Sequence, residues 1–254
     1  IDTADNGDND FSAIFSVSGS SLAMSSGHTL SVWSGTAYEP DGDVSVNGFT
    51  LGAGSTYNGS GYDMDSNGPF TIEGTFAQGT GSLNVSGDVR IASTASFIKA
   101  TNDAPFTLDG DLVYEDEGGV VVGDLVVGSS PDTITMSGAL IADSLTIGTG
   151  DVLITQGYDV SLNGALIHYG LLNADDANGN ASSMTLSGSW IASGSGDFIS
   201  GTSTVVLNGD AVSQALTASS SFHHLILDGA GATFTPTGDI VATGDFRLEQ
   251  GMYT

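Results

Sequence analysis

An all-β chain wound into a parallel β-helix, a β-solenoid, is the fold class this sequence predicts, and three observations predict it. A five-residue pattern recurs along most of the chain: apolar, any, apolar, any, Gly, usually followed by Asp, Ala or Ser and a further apolar residue. Alternation of this kind is a strand with one buried face. The glycines at 138, 164, 188, 209 and 229 stand 26, 24, 21 and 20 residues apart, near the length of one solenoid coil. No window longer than about ten residues carries a capped apolar stripe of helical period, so helices are expected to be rare or absent.

Taken in order, the chain opens on an acidic, turn-rich leader, Ile1 to Asp10. A strand follows, Phe11-Ser-Ala13-Ile-Phe15-Ser-Val17, with Phe11, Ala13, Phe15 and Val17 on one face. Residues 1–40 are read as this leader plus an N-terminal extension strand, and residues 41–254 as the repeat domain. The repeats run through Val44–Gly48, Phe70–Gly74, Leu83–Gly87, Phe106–Gly110, Ile134–Gly138 and Val160–Gly164, then Met184–Gly188, Val205–Gly209, Leu225–Gly229 and Ile240–Gly244. Within them Val85, Leu108, Leu162, Leu186 and Leu227 are expected to point inward. Where an apolar residue resumes after the glycine, as in Gly87-Asp-Val89-Arg-Ile91, the strand bends at a coil corner. The same strand-turn units could instead form the hairpins of a β-sandwich or jelly roll. The scarcity of Asn-Gly hairpin signals between matched strands favours the solenoid.

Charge is lopsided: 30 acidic residues against the three basic side chains Arg90, Lys99 and Arg247, a formal net of −27. Such a chain repels phosphate backbones, so nucleic acid is excluded as a partner. Aspartate far outnumbers glutamate, and its short carboxylate accepts nearby backbone N–H groups, so many acids are turn residues first. The charge also opposes edge-to-edge aggregation and suits saline or calcium-containing surroundings. With no cysteine, neither disulfides nor thiolate metal sites exist. No apolar run is long enough to span a membrane as a helix, and the opening at Ile1 reads as a processed, exported chain.

The stretch from Gly201 through Phe222-His-His-Leu225-Ile-Leu227-Asp-Gly229 to Gly238-Asp-Ile240-Val-Ala242-Thr-Gly244-Asp-Phe246-Arg-Leu248-Glu-Gln-Gly251 resembles repeats of large bacterial and archaeal surface proteins and filamentous adhesins. That resemblance implies a parallel β-solenoid with a cell-surface or filament role, and it carries over no catalytic residue.

Asp63-Met-Asp65-Ser-Asn67-Gly68, with Glu73 behind it, sets oxygen ligands at alternate positions before a glycine, as a calcium loop begins. Asp63, Asp65, Asn67 and Glu73 are therefore the candidate calcium ligands, set against a plain Asx-rich turn. Of the four histidines only His223 and His224 are neighbours, and strand alternation would send them to opposite faces. Surface or corner places are expected for all four. Ser195 in Gly194-Ser-Gly196 lacks the strand-to-helix setting of a nucleophile elbow. Trp33, Trp190 and the tyrosines are either sugar-stacking platforms or interior fill.

The function expected from these readings is structural, with no catalytic residues: a subunit of an extracellular filament, pilus-like fibre or surface layer that self-assembles. Its partner is a second copy, joined through the strand Phe11 to Val17, with calcium as the one candidate cofactor. A cell-surface adhesive or carbohydrate-binding module taking surface glycans is the alternative. A polysaccharide-degrading β-helix enzyme ranks third, because a −27 surface repels polyuronides.

Overall fold

The structure, a computed structural model, describes residues 8–11, 15–17, 22–24, 27–33, 35–99, 104–128, 131–176, 179–210, 212–217 and 221–254. None of these residues is helical, and the strands pair in parallel, each with the strand one coil away. The chain is a β-solenoid and not a sandwich of hairpins. It divides into two compact units, Ile1–Asp124 and Leu125–Thr254.

In the first unit, each coil contributes three strands in turn. These are β1 (Asp8–Phe11), β2 (Phe15–Val17) and β3 (Leu22–Ala23); β4 (Thr29–Val32), β5 (Ala37–Pro40) and β6 (Val44–Val46); β7 (Gly48–Leu51), β8 (Thr56–Asn58) and β9 (Met64–Ser66). They continue as β10 (Phe70–Ile72), β11 (Thr75–Ala77) and β12 (Leu83–Val85); β13 (Val89–Ile91), β14 (Ser96–Ile98) and β15 (Phe106–Leu108); and β16 (Leu112–Asp116). Corresponding strands stack into three columns, β1-β4-β7-β10-β13-β16, β2-β5-β8-β11-β14 and β3-β6-β9-β12-β15. The inward positions build aromatic ladders: Tyr57 stacks on Phe76 at 4.8 Å between ring centres, Phe76 on Phe97 at 5.2 Å, and Phe49 on Phe70 at 5.5 Å. Offset stacks of this kind add to the area they bury.

The second unit runs through β17 (Asp124–Val127), β18 (Thr133–Met136), β19 (Leu140–Ala142) and β20 (Ser144–Ile147), then β21 (Val152–Ile154), β22 (Val160–Leu162) and β23 (Leu166–His168). Further coils are β24 (Leu171–Asn173), β25 (Ser183–Leu186) and β26 (Trp190–Ala192), and β27 (Asp197–Ile199), β28 (Thr204–Leu207) and β29 (Ser213–Thr217). The long strands β30 (His224–Thr237) and β31 (Phe246–Tyr253) close it. β30 bends so that its first half continues the column β19-β22-β25-β28 and its second half pairs with β29. The glycines at 164, 188, 209 and 229 lie one above another at a corner of these coils. A Cβ on Gly188 would come within 2.5 Å of the Gly164 carbonyl carbon, and one on Gly209 within 1.9 Å of the Ser187 oxygen. Neighbouring coils touch there backbone to backbone, which only glycine permits.

The expected inward residues Val85, Leu108, Leu162, Leu186 and Leu227 are all buried. The N-terminal region differs from its reading. Instead of one strand over Phe11–Val17 there are two in different columns: β1, ending at Phe11, pairs with β4, and β2, from Phe15 to Val17, pairs with β5. Ala13 lies outside the described residues. Each short strand gains in-chain partners for its backbone N–H and C=O groups, which one straight strand standing off the stack would lack. Strands before residue 41 therefore share the columns of those after it, and the compact division falls at Asp124/Leu125, not near residue 40.

Candidate functional site

The four residues read as calcium ligands each meet a separate protein partner. Asp63 Oδ1 accepts the Ser82 N–H at 2.8 Å, while the Asp63 N–H donates to Asp43 Oδ1 at 3.1 Å. Asp65, on the outward side of β9, accepts from the Asn84 amide at 2.7 Å, and the Asn67 amide donates to the Val46 carbonyl. Glu73 takes an ion pair from Arg90 at 3.3 Å. Among the described residues, no group of three or more His, Asp or Glu side chains is placed to hold a metal ion.

These bonds belong to a wider device. Asp88, Asp159 and Asp210 accept the backbone N–H of Val113, Ser183 and Ala230 at 2.8–2.9 Å, and Asp143 accepts from the Asn163 amide. Each carboxylate reaches a residue 19 to 25 positions later, one coil on. These carboxylates give an acceptor to N–H groups at or beside strand starts (Ser82, Val113, Ser183) and at the irregular middle of β30 (Ala230). Buried Asp116 instead folds back on its own loop, accepting from the N–H groups of Gly118, Gly119 and Val120. Burial raises its pKa, and those three donors offset part of the rise.

The basic side chains are committed differently from one another. Arg90 sits among Glu73, Glu115 and Glu117, and the hydrogen bond to Glu117 holds its pKa up. Lys99 is buried and donates to the Gly81 carbonyl at 2.9 Å. Arg247 is 57% exposed, with Glu249 of its own strand as ion-pair partner.

Two readings of histidine are corrected. His168 occupies no surface or corner place: it is fully buried, edge-on to Trp190 at 5.5 Å between ring centres, with no hydrogen-bond partner for Nε2. Desolvation lowers its pKa. His223 and His224 do not diverge; their rings lie 4.2 Å apart, because His223 belongs to a bend before β30, where strand alternation does not apply. Trp190 is core, whereas Trp33 is 46% exposed. Ser195 Oγ donates to the Tyr169 carbonyl.

No protein-family model, curated protein or solved structure matches the chain. The arrangement must be read on its own chemistry. Its most distinctive surface is β31, whose only strand partner among the described residues is β30. Leu225, Leu227 and Phe234 on β30 are fully buried, yet their register partners Phe246, Leu248 and Tyr253 are 47%, 47% and 41% exposed. Beside them a shallow groove is lined by Thr204, His224, Ile226, Asp245 and Arg247. His224 Nδ1 accepts the Asp245 N–H at 2.9 Å, which leaves Nε2 as the donor of the neutral ring. The motif Gly244-Asp-Phe246-Arg-Leu248 was legible as a repeat, and its inward phase with it. That no strand of the described residues pairs with its outer edge was not.

Proposed function

We propose that this chain is a structural β-solenoid of an extracellular filament or surface layer, assembling by strand pairing between copies at coil edges. The observation that supports the reading most directly is β31. It carries the apolar alternation of an interior coil but leaves Phe246, Leu248, Met252 and Tyr253 in water. Apolar area of that kind beside a backbone edge that no other described strand pairs with favours association. Like charge on −27 copies opposes it, so assembly is expected to strengthen as salt screens the repulsion. Saline or calcium-containing surroundings outside the cell would supply that screening.

The test is negative-stain electron microscopy with sedimentation velocity across a salt series. Fibres or higher oligomers that grow with ionic strength are the expected outcome. Monomers at every salt concentration would sink the reading in favour of a monomeric binder, for which the exposed Trp33 is the first residue to test for sugar stacking.

A further inference from the structure

Beyond self-assembly, and independent of it, we infer that the outward face of β4, β7 and β10 binds a neutral β-linked glycan, with Trp33 as stacking platform and Thr50, Thr71 and Glu73 as partners for its hydroxyls. Strand alternation puts two rows of outward positions on this face. Val32, Phe49, Leu51, Phe70 and Ile72 are buried, so the positions between and just after them turn out. Thr50, Thr71 and Arg90 stand in register on β7, β10 and β13. The neighbouring row is Trp33, Gly52 and Glu73, each one place beyond the register partners Val32, Leu51 and Ile72. Its backbone carries the ladder on, since the Gly52 and Glu73 N–H groups donate to the Val32 and Leu51 carbonyls at 2.9 and 2.7 Å.

Gly52 shapes the site. A Cβ there would lie 2.9 Å from Trp33 Cε3 and 3.5 Å from Cζ3, so the six-membered ring of the indole rests across the next coil in the space that glycine leaves. Trp33 is nevertheless 46% exposed. An aromatic ring laid on a sheet offers its π face to the C–H groups of a pyranose. Beside it, the Thr50 and Thr71 hydroxyls can donate or accept, and Glu73, held by Arg90 at 3.3 Å, is a fixed acceptor. Trp33 and Glu73 are two coils apart, about 9–10 Å at the spacing of paired strands, which a disaccharide spans. A β-linked chain joined through equatorial bonds is extended and turns flat ring faces to such a strip, whereas an α-linked chain coils away from it. Charge narrows the class further. Arg90 is outnumbered by Glu73, Glu115 and Glu117, so the strip is net negative and repels uronates.

The experiment uses the full chain and its own two tryptophans, of which Trp190 is fully buried and Trp33 exposed. Cellohexaose or chitohexaose is expected to protect Trp33 from acrylamide quenching in a saturable way, while maltohexaose and polygalacturonate do not. In isothermal titration calorimetry Trp33→Ala should weaken that binding by about tenfold or more, the scale of losing a central aromatic anchor. Thr50→Val should weaken it by about threefold, as the loss of one hydrogen bond does. Gly52→Ala should weaken it with the indole still present, and all of these variants should keep a β-rich circular dichroism spectrum. Failure of both neutral β-linked probes to bind the parent overturns the proposal, whatever the state of assembly. So does binding that Trp33→Ala and Thr50→Val leave unchanged, or equal binding of maltohexaose or polygalacturonate.

Discussion

His168 illustrates how much a single side chain inside a coil imposes. Its ring is held neutral by burial, so its folded pKa lies below the ordinary value of 6.5. The unfolded chain therefore takes up a proton first as pH falls. The stability linked to this group is complete above about pH 6.5 and is lost as pH drops below it, towards the folded pKa. Replacing it as His168→Leu should flatten the dependence of the melting midpoint on pH below about pH 6.5, a comparison that thermal melts at closely spaced pH values decide. Asp116 works in the opposite sense, its pKa being raised, so its term is present at acid pH and lost as pH rises through its folded pKa. The stitching carboxylates make a second residue-scale prediction. Asp159→Ala should cost about 0.5–1.5 kcal/mol in denaturant unfolding, and Asp159→Asn less, because the amide oxygen still accepts the Ser183 N–H. Equal losses would mean that the charge, and not the hydrogen bond, is what matters there.

At the scale of strands and corners, stability comes from repetition. Leu186 is fully buried in β25, with Leu162 and Leu207 as its register partners in the coils on either side. Leu186→Ala should cost about 2–5 kcal/mol, and a near-zero loss would show that the coil interior collapses around the gap. The corner glycines predict a different kind of damage. Gly188→Ala forces a Cβ against the Gly164 backbone, so the coils must part locally, at a cost of roughly 1–3 kcal/mol in chemical unfolding. No rotamer change relieves that clash, since the opposing atoms are backbone.

For the molecule as a whole, a formal charge of −27 is partly offset locally, since aspartates such as Asp63, Asp88, Asp159 and Asp210 each accept a backbone N–H and Asp65 and Asp143 a side-chain amide. Self-repulsion nevertheless remains. The melting midpoint is expected to rise between low and physiological ionic strength, and differential scanning calorimetry at two salt concentrations checks it. A midpoint insensitive to salt would mean that the charges are already balanced locally.

The sequence by itself determined the strands, the residues that point inward and the glycine corners of the second unit. Alternation and turn chemistry are local, and the 24-, 21- and 20-residue steps between glycines reappear as the step from one coil to the next. Only the tertiary structure decided what meets across coils. Corner lengths vary, so the partner of Asp63, Asp159 or Arg90 lies at no constant spacing that a reader of the chain could apply. The same lengths split the strand expected over Phe11–Val17 into two columns and turned Asp63, Asp65, Asn67 and Glu73 to different partners. His168 lies inside because it shares the inward phase of Leu166 on β23, and β31 has β30 as its strand partner among the described residues.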